Sequence, residues 1–159
     1  MAPTVLGIDP GLRVTGYAVV YSDGDGPEVR EAGVLKTRSE DTFEMRLKTI
    51  YDGLNEIISE FKPDAVSVEK LYSHYKHPQT AVIMGHARGM IFLCAANHRI
   101  PVESYASTRI KKSLTGSGRA SKLQMQRSVK SVFRMRAIPE PADVADAIAA
   151  ALCHIEAAR

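Results

Sequence analysis

Apolar and polar residues alternate over the first third of the chain in a pattern that predicts strands. Residues 5–9 form a short apolar run that is typical of a buried strand. A second strand is expected over residues 15–22, which are rich in β-branched and aromatic side chains, and a third over residues 28–37, after the turn-forming residues 23–27. Strands joined by short turns pair antiparallel, so we expect a three-stranded meander.

A helical spacing replaces the strand pattern in the middle of the chain. Apolar residues recur every three or four positions over residues 42–61, and Pro63 ends that helix. Residues 65–69 predict a fourth strand. Because a helix precedes this strand, we expect a parallel crossover connection that returns it to the sheet. A fifth, short strand is expected over residues 100–105.

The helix expected over residues 78–97 is apolar on nearly all its sides. Gly85 and Gly89 stand four residues apart in it, and their lack of a side chain would allow another element to approach closely. A helix of this kind is either deeply buried or part of an interface.

Three more helical segments are expected towards the C-terminus. A helical turn spans residues 107–114, and residues 121–133 carry one apolar and one basic stripe at spacings of three and four. Pro139 and Pro141 mark a break, after which Asp143 opens a last helix.

Length and composition indicate one compact globular domain over residues 1–159. The chain is 45% hydrophobic and 25% charged, and no run approaches the roughly 18 apolar residues of a membrane helix. The N-terminus lacks the features of a secretory leader, so we expect a soluble, unprocessed, cytoplasmic protein. Cys94 and Cys153 stand in no metal-binding or redox spacing, and we expect them to be buried, reduced thiols.

The formal net charge of +3 conceals an uneven distribution of charge. Between Glu103 and Glu140 the chain has no acidic residue, and a charge of +9 there offsets −6 elsewhere. The nine basic residues of this acid-free segment are Arg109, Lys111, Lys112, Arg119, Lys122, Arg127, Lys130, Arg134 and Arg136. The segment predicts a surface that attracts a polyanion, most simply nucleic acid, although a solvated helix face is the alternative.

Four acidic residues stand at the predicted ends of strands and helices: Asp9, Glu69, Asp143 and Asp146. Asp9 follows an apolar strand directly, where an unpaired carboxylate would cost several kcal/mol. Asp143 and Asp146 are three residues apart and share one side of a helix. Alternatively, Asp143 is an N-cap with Asp146 at the third helical position, and Glu69 is a solvated acid.

Close carboxylates repel one another unless divalent cations balance them. Two Mg²⁺ ions would balance four carboxylates and could position a water for attack on a phosphodiester, and Mn²⁺ can substitute because all the ligands are oxygens. His74 and His77 have an HxxH spacing, but no cysteine accompanies them and we do not expect zinc.

Taken together, these features resemble the RuvC Holliday-junction resolvases of the ribonuclease H-like superfamily. The resemblance extends over residues 7–11, 15–17, 68–69, 85–89, 111, 116–122 and 143–147. It implies an α/β fold with a five-stranded mixed sheet, three antiparallel strands and then two parallel ones, flanked by helices. It further implies a homodimer that makes paired nicks in four-way junction DNA during recombination and repair, at the bacterial nucleoid, with a branch-migration helicase of the RuvA and RuvB type.

The resemblance also assigns roles to individual residues. The metal-binding, catalytic acids correspond to Asp9, Glu69, Asp143 and Asp146, and Lys111 and Lys122 correspond to catalytic lysines. Tyr72 stands where the family commonly has Phe and would act on junction bases, or else pack. Ser117 stands where Asn is frequent, and His86 where Gln is frequent. Further DNA contacts are expected from Arg109, Lys112, Ser117, Arg119 and Arg127.

Three other functions remain open at the level of sequence. A RuvC-like nuclease could act on another structured nucleic acid such as RNA, and a junction-binding protein could lack catalysis. An actin-like or sugar-kinase phosphotransferase also begins with an Asp-x-Gly turn after a strand, but it needs two such domains, and this chain has room for one.

Overall fold

A computed structural model describes residues 3–71 and 77–159 of the chain. Its strands are β1 (Thr4–Asp9), β2 (Val14–Asp23), β3 (Gly26–Lys36), β4 (Ala65–Glu69) and β5 (Val102–Tyr105). Its helices are α1 (Phe43–Phe61), α2 (Pro78–Asn97), α3 (Ser107–Thr115), α4 (Lys122–Val132) and α5 (Ala142–Ala157). Each predicted strand and helix is present, with ends that differ by at most two residues.

The five strands form one mixed sheet in the order β3-β2-β1-β4-β5. β1 pairs antiparallel with β2, and β2 with β3, because short turns join them. β4 is parallel to β1, and β5 to β4, since a helix lies between each pair in sequence. The predicted sheet, three antiparallel strands followed by two parallel ones, is therefore confirmed.

Helices cover both faces of the sheet, because side chains alternate along the central strand β1. Val5 faces α5, α3 and α4, whereas Leu6 and Ile8 face α1 and α2. All three side chains are buried, and a buried side chain of this size stabilises the fold by roughly 1.5–3 kcal/mol. The apolar residues of β1 thus join two cores through one strand.

Two glycines in the sheet determine how closely α5 packs. A Cβ atom at Gly7 would lie 1.9 Å from the carbonyl oxygen of Ala147, and one at Gly16 would lie 2.2 Å from that of Asp143. Both positions exclude any larger residue unless the helix moves. The Ser67 hydroxyl also donates to the Ala150 carbonyl at 2.6 Å. α5 is therefore held at a fixed height and register over β1, β2 and β4.

The other long apolar helix, α2, is only half buried. Val82 and Leu93 are 59% and 49% exposed, and a Cβ atom at Gly89 would meet nothing within 4 Å. Of the two expectations for this helix, deep burial is therefore wrong, and an interface stays a prediction. No helix among the described residues combines the length and apolar character that crossing a bilayer requires.

Candidate active site

Parallel pairing brings the first two acids to one edge of the sheet. Ile8 of β1 pairs with Val68 of β4, so the following residues, Asp9 and Glu69, end adjacent strands side by side. The turn after Asp9 is fixed by Thr15, whose hydroxyl donates to the Gly11 carbonyl at 2.6 Å. Two of the acids that the sequence places at strand ends are therefore neighbours.

α5 carries the other two acids to the same edge. Asp146 lines a cleft of about 220 Å³ together with Asp9 and Glu69. Asp143 is hydrogen-bonded to Asp9, and its carbonyl packs on Gly16, the β2 residue that pairs with Asp9. The glycine therefore allows the helix start to approach the strand end that holds the first acid.

Helix capping does not account for Asp143. The N-cap of α5 is Pro141, with no side-chain capping bond, so Asp143 is the second helical residue and Asp146 the fifth. Because the fixed φ of Pro141 suits the start of a helix, α5 begins earlier than the position of Asp143 predicted. The interpretation of Asp143 as an N-cap and of Asp146 as the third helical residue is wrong.

Burial and neighbouring carboxylates disfavour the ionisation of three of the acids, Asp9, Glu69 and Asp146. Burial, and then the charges of Asp146, Asp143 and Glu69, raise the pKa of Asp9 to about 8. Burial also raises the pKa of Glu69 and of Asp146, with neighbouring carboxylates adding to the effect. An acid whose pKa lies that high in a cleft indicates a site built to receive positive charge.

Two lysines from separate helices complete the cleft. Lys111 of α3 and Lys122 of α4 line it, and their charges lower the pKa of Asp146. Lys122 is the first residue of α4, whose start is fixed by a capping box between Ser121 and Gln124. The structure thus places both sequence-predicted lysines beside the acids.

The donor set suits a hard divalent cation. Carboxylate oxygens are the ligands that Mg²⁺ and Mn²⁺ prefer, and the raised pKa values show that negative charge is in excess without them. Within residues 3–71 and 77–159, no three acidic, histidine or cysteine side chains yet converge as ligands of one ion. The site is an open cleft of carboxylates.

No basic residue of the acid-free segment forms a close ion pair in the part of the chain that the structure describes. The ion pairs found in that part join Arg38 to Glu40 and Lys48 to Asp52, far from the segment in sequence. The side chains expected to contact DNA are all exposed: Arg109, Lys112, Ser117, Arg119 and Arg127. Arg109 also stacks over the Tyr105 ring at 5.0 Å from its centroid.

The sequence also drew attention to a tyrosine and to several histidines. Tyr72 and His74 lie outside the described residues. His86 packs edge-on against Phe43 of α1, with ring centroids 5.2 Å apart, which gives it a packing role on α2.

Sequence reasoning missed two residues that line the site. Ser107, the first residue of α3, lines the cleft and lowers the pKa of Glu69 by hydrogen bonding. Arg88 of α2 lines a second cleft of about 570 Å³ that shares Asp9, Glu69 and Ser107 with the first. The feature that could have identified Arg88 as a site residue is an arginine within an otherwise apolar helix. Nothing in the sequence distinguished Ser107 from an ordinary serine at the start of a helix.

The chain is similar to proteins of one family over nearly its whole length. It matches the family model "Crossover junction endodeoxyribonuclease RuvC" over residues 5–154. A protein of that name from Rhodopirellula baltica is 51% identical over 96% of this chain and 85% of its own length. Another, from Alkaliphilus oremlandii, is 42% identical over 94% and 91%, respectively.

Solved structures agree with the sequence comparison. T. thermophilus RuvC in complex with a Holliday junction substrate matches with a TM-score of 0.91 and 30% identity, over 99% of this chain and 95% of that one. A yeast mitochondrial Holliday junction resolvase shares the fold, with a TM-score of 0.64 and 15% identity over 95% and 77% of the two chains. These likenesses confirm the resemblance and the ribonuclease H-like fold.

Proposed function

Because the chain belongs to the RuvC family of crossover junction endodeoxyribonucleases, we propose that it resolves four-way DNA junctions by paired, symmetric hydrolytic nicks. The observation that supports this most directly is the cleft where Asp9, Glu69, Asp146, Lys111 and Lys122 meet. Acids to hold cations and lysines to hold a phosphate are the two requirements of metal-assisted phosphodiester hydrolysis. Such nicks serve recombination and DNA repair.

The four carboxylates are proposed to hold two Mg²⁺ ions per subunit, which Mn²⁺ can replace. When bound, the ions would activate the attacking water and stabilise the leaving oxygen. Asp9 must lose its proton to act as a ligand, and burial, followed by the charges of the neighbouring carboxylates, raises its pKa to about 8. Bound cations would favour its ionised form.

The lysines are proposed to act on the scissile phosphate itself. Lys111 and Lys122 reach the cleft from different helices, so a phosphate between them would be held from two sides. Their positive charges would neutralise charge that accumulates on the phosphate oxygens as the bond breaks. Hydrogen bonding to Ser107 partly offsets the rise that burial causes in the pKa of Glu69.

Beyond the cleft, the acid-free segment is proposed to bind the junction backbone. Four exposed cations in this segment can bind phosphates: Arg109, Lys112, Arg119 and Arg127. Ser117 adds an exposed hydroxyl group in the same segment. A role for Tyr72 on junction bases stays a prediction, since it lies outside the described residues.

A homodimer is proposed because a junction must be cut twice in a symmetric way. The exposed apolar residues of α2, including Val82 and Leu93, are the surface we assign to the interface, and Gly89 would allow a close approach there. Cooperation with a branch-migration helicase of the RuvA and RuvB type, in the cytoplasm at the bacterial nucleoid, belongs to the same proposal.

Cleavage of a synthetic four-way junction tests the function. Each strand is labelled in turn, and the protein is added with Mg²⁺ or with EDTA. We expect two symmetric cuts that depend on Mg²⁺ and leave 5′-phosphate and 3′-hydroxyl ends that a ligase seals. Linear duplex and structured RNA serve as control substrates.

Two outcomes would contradict the proposed function. Faster cleavage of the RNA than of the junction would identify a nuclease with another substrate. Intact DNA after prolonged incubation with Mn²⁺, despite binding, would indicate a junction-binding protein without catalysis.

A further inference from the structure

Arg88 connects α2 to the strand ends that carry the active site. Its Nε donates to the backbone carbonyl oxygen of Glu69 at 3.3 Å, and its Nη2 donates to Ser104 Oγ at 2.7 Å. The guanidinium carbon lies 4.8 Å from the centre of the Phe92 ring, one turn further along the helix. One half-buried side chain thus holds β4, β5 and α2 together at the edge of the cleft.

The hydrogen bond from Arg88 to Glu69 lies at the edge of the sheet, where the strand pairing ends. The register between β1 and β4 ends at Ile8 and Val68, one residue before Glu69. On the other side, the amide of Lys70 donates to the Tyr105 carbonyl at 2.8 Å, and β5 ends there. Arg88 therefore binds the main chain of an acid whose side chain faces the cleft at the last ladder position.

We propose that Arg88 is a positioning residue that fixes the main chain of Glu69 and thereby aims its carboxylate at the cation site. This proposal rests on the function proposed above for that site. A planar guanidinium can hold two acceptors at fixed angles, which a lysine ammonium on a flexible stem does less well. Hydrogen-bonding partners of this kind orient the groups that bind a metal.

Arg88 acts on Glu69 through its main chain. Its hydrogen bonds go to the backbone carbonyl oxygen of Glu69 and to Ser104 Oγ. Removing Arg88 is therefore expected to change where the Glu69 carboxylate points. The same bond ties Glu69 to α2, the helix we assign to the dimer interface.

Titration of the DNA-free protein with Mn²⁺, followed by calorimetry, tests the proposal. The variants are Arg88→Met, which removes both bonds, Arg88→Lys, which keeps the charge, and Ser104→Ala, which removes one acceptor. The matched control is Arg30→Met, because Arg30 also stacks on an aromatic ring, that of Tyr21 at 4.1 Å, but lies on the far edge strand β3. Junction binding in EDTA is measured for each variant in parallel.

We expect Arg88→Met to weaken Mn²⁺ binding by about 10- to 100-fold and to raise the Mg²⁺ concentration for half-maximal cleavage in proportion. Arg88→Lys and Ser104→Ala should show smaller losses in the same direction, and Arg30→Met none. Junction affinity in EDTA should stay within about twofold of the parent protein for all four variants.

Two results would overturn the positioning role. If Arg88 contacts a phosphate instead, Arg88→Met weakens junction binding in EDTA and makes the plot of log binding constant against log salt concentration less steep by about 1. In that case Arg88→Lys, which keeps the charge, restores junction binding. Unchanged Mn²⁺ affinity in folded Arg88→Met also overturns it, and if that variant does not fold, Arg88→Lys and Ser104→Ala decide. Because the parent protein is titrated without DNA, metal binding without junction cleavage would count against the proposed function alone.

Discussion

The two long apolar helices, α5 and α2, have similar compositions but differ in how much of their surface is buried. α5 is buried along most of its length against the sheet, and the glycines that permit its close approach lie in the strands beneath it. α2 carries its own glycines, and nothing in the described chain packs on Gly89. The comparison teaches that Gly7 and Gly16 mark a close contact within the chain, whereas Gly89 lies on an open part of α2.

The two helices are also expected to serve different functions, α5 in catalysis and α2 in assembly. α5 brings Asp143 and Asp146 to the strand ends, so its tight packing determines the geometry of the acids. α2 contributes Met84 and Arg88 to the lining of the second cleft and leaves Val82 and Leu93 exposed. Substitutions under α5 should therefore impair cleavage and folding together, whereas substitutions on the open side of α2 should impair assembly.

The largest effect is expected from Asp9→Asn, which removes the acid that α5 faces. Cleavage of a four-way junction in Mg²⁺ should fall by about 10³-fold or more, because a cation ligand is lost. Junction binding should survive, since the basic residues are untouched. Single-turnover cleavage and gel-shift titration measure the two, and retained cleavage would refute the assignment of Asp9 to the metal site.

The next effect is expected from Gly16→Ala, which tests the close packing of α5. The new methyl group would lie 2.2 Å from the carbonyl oxygen of Asp143, so the helix start must move. We expect a loss of about 1–3 kcal/mol in the free energy of unfolding and about 10²-fold in cleavage rate.

Gly89→Ala is the matched control for that substitution. No atom of the described chain lies within 4 Å of the added methyl group, so the free energy of unfolding should not fall when it is measured at a concentration too low for the proposed dimer to form. Chemical denaturation of both variants makes the comparison. Equal destabilisation by the two substitutions would mean that the glycines do not distinguish the two helices.

A smaller effect on activity, but a large one on assembly, is expected from Leu93→Glu on α2. Leu93 is half exposed, so its replacement removes little from the core of the chain. A charge in the proposed interface should weaken the dimer by at least about tenfold. Sedimentation measures the oligomeric state, with Lys62→Glu, an exposed change after α1, as the control. A dimer of unchanged affinity would contradict the interface on α2.

The last prediction concerns the pH dependence of stability without metal. The pKa of Asp9 is about 8 in the folded protein and 3.8 as its ordinary value. Between these two pH values the unfolded chain releases a proton that the folded one keeps, so folded stability should fall as pH rises from about 4 to 8. In EDTA, the Tm of the parent protein relative to Asp9→Asn should therefore be lower at pH 8 than at pH 5. A relative Tm independent of pH would contradict the buried, crowded environment of Asp9.

The strands and most of the acids could be predicted from sequence because their signals are local. Alternation gives the strand positions, and the parallel crossover from β3 to β4 places Asp9 beside Glu69. The start of α5 could not be predicted in the same way, because Pro141 and Asp143 both suit a helix N-terminus, and only tertiary packing on Gly16 selects between them. The positioning role of Arg88 could not be predicted, because its partners, Glu69 and Ser104, are distant from it in sequence.

The most direct test of the central claim, that α5 delivers ligands and not helix caps, is single-turnover cleavage by Asp143→Asn with its thermal unfolding measured alongside. An asparagine caps a helix as well as an aspartate but is a poor ligand for a hard cation. We predict a loss of at least about 10²-fold in cleavage, with a Tm equal to or above that of the parent protein. Unchanged cleavage in Mg²⁺ would contradict the claim.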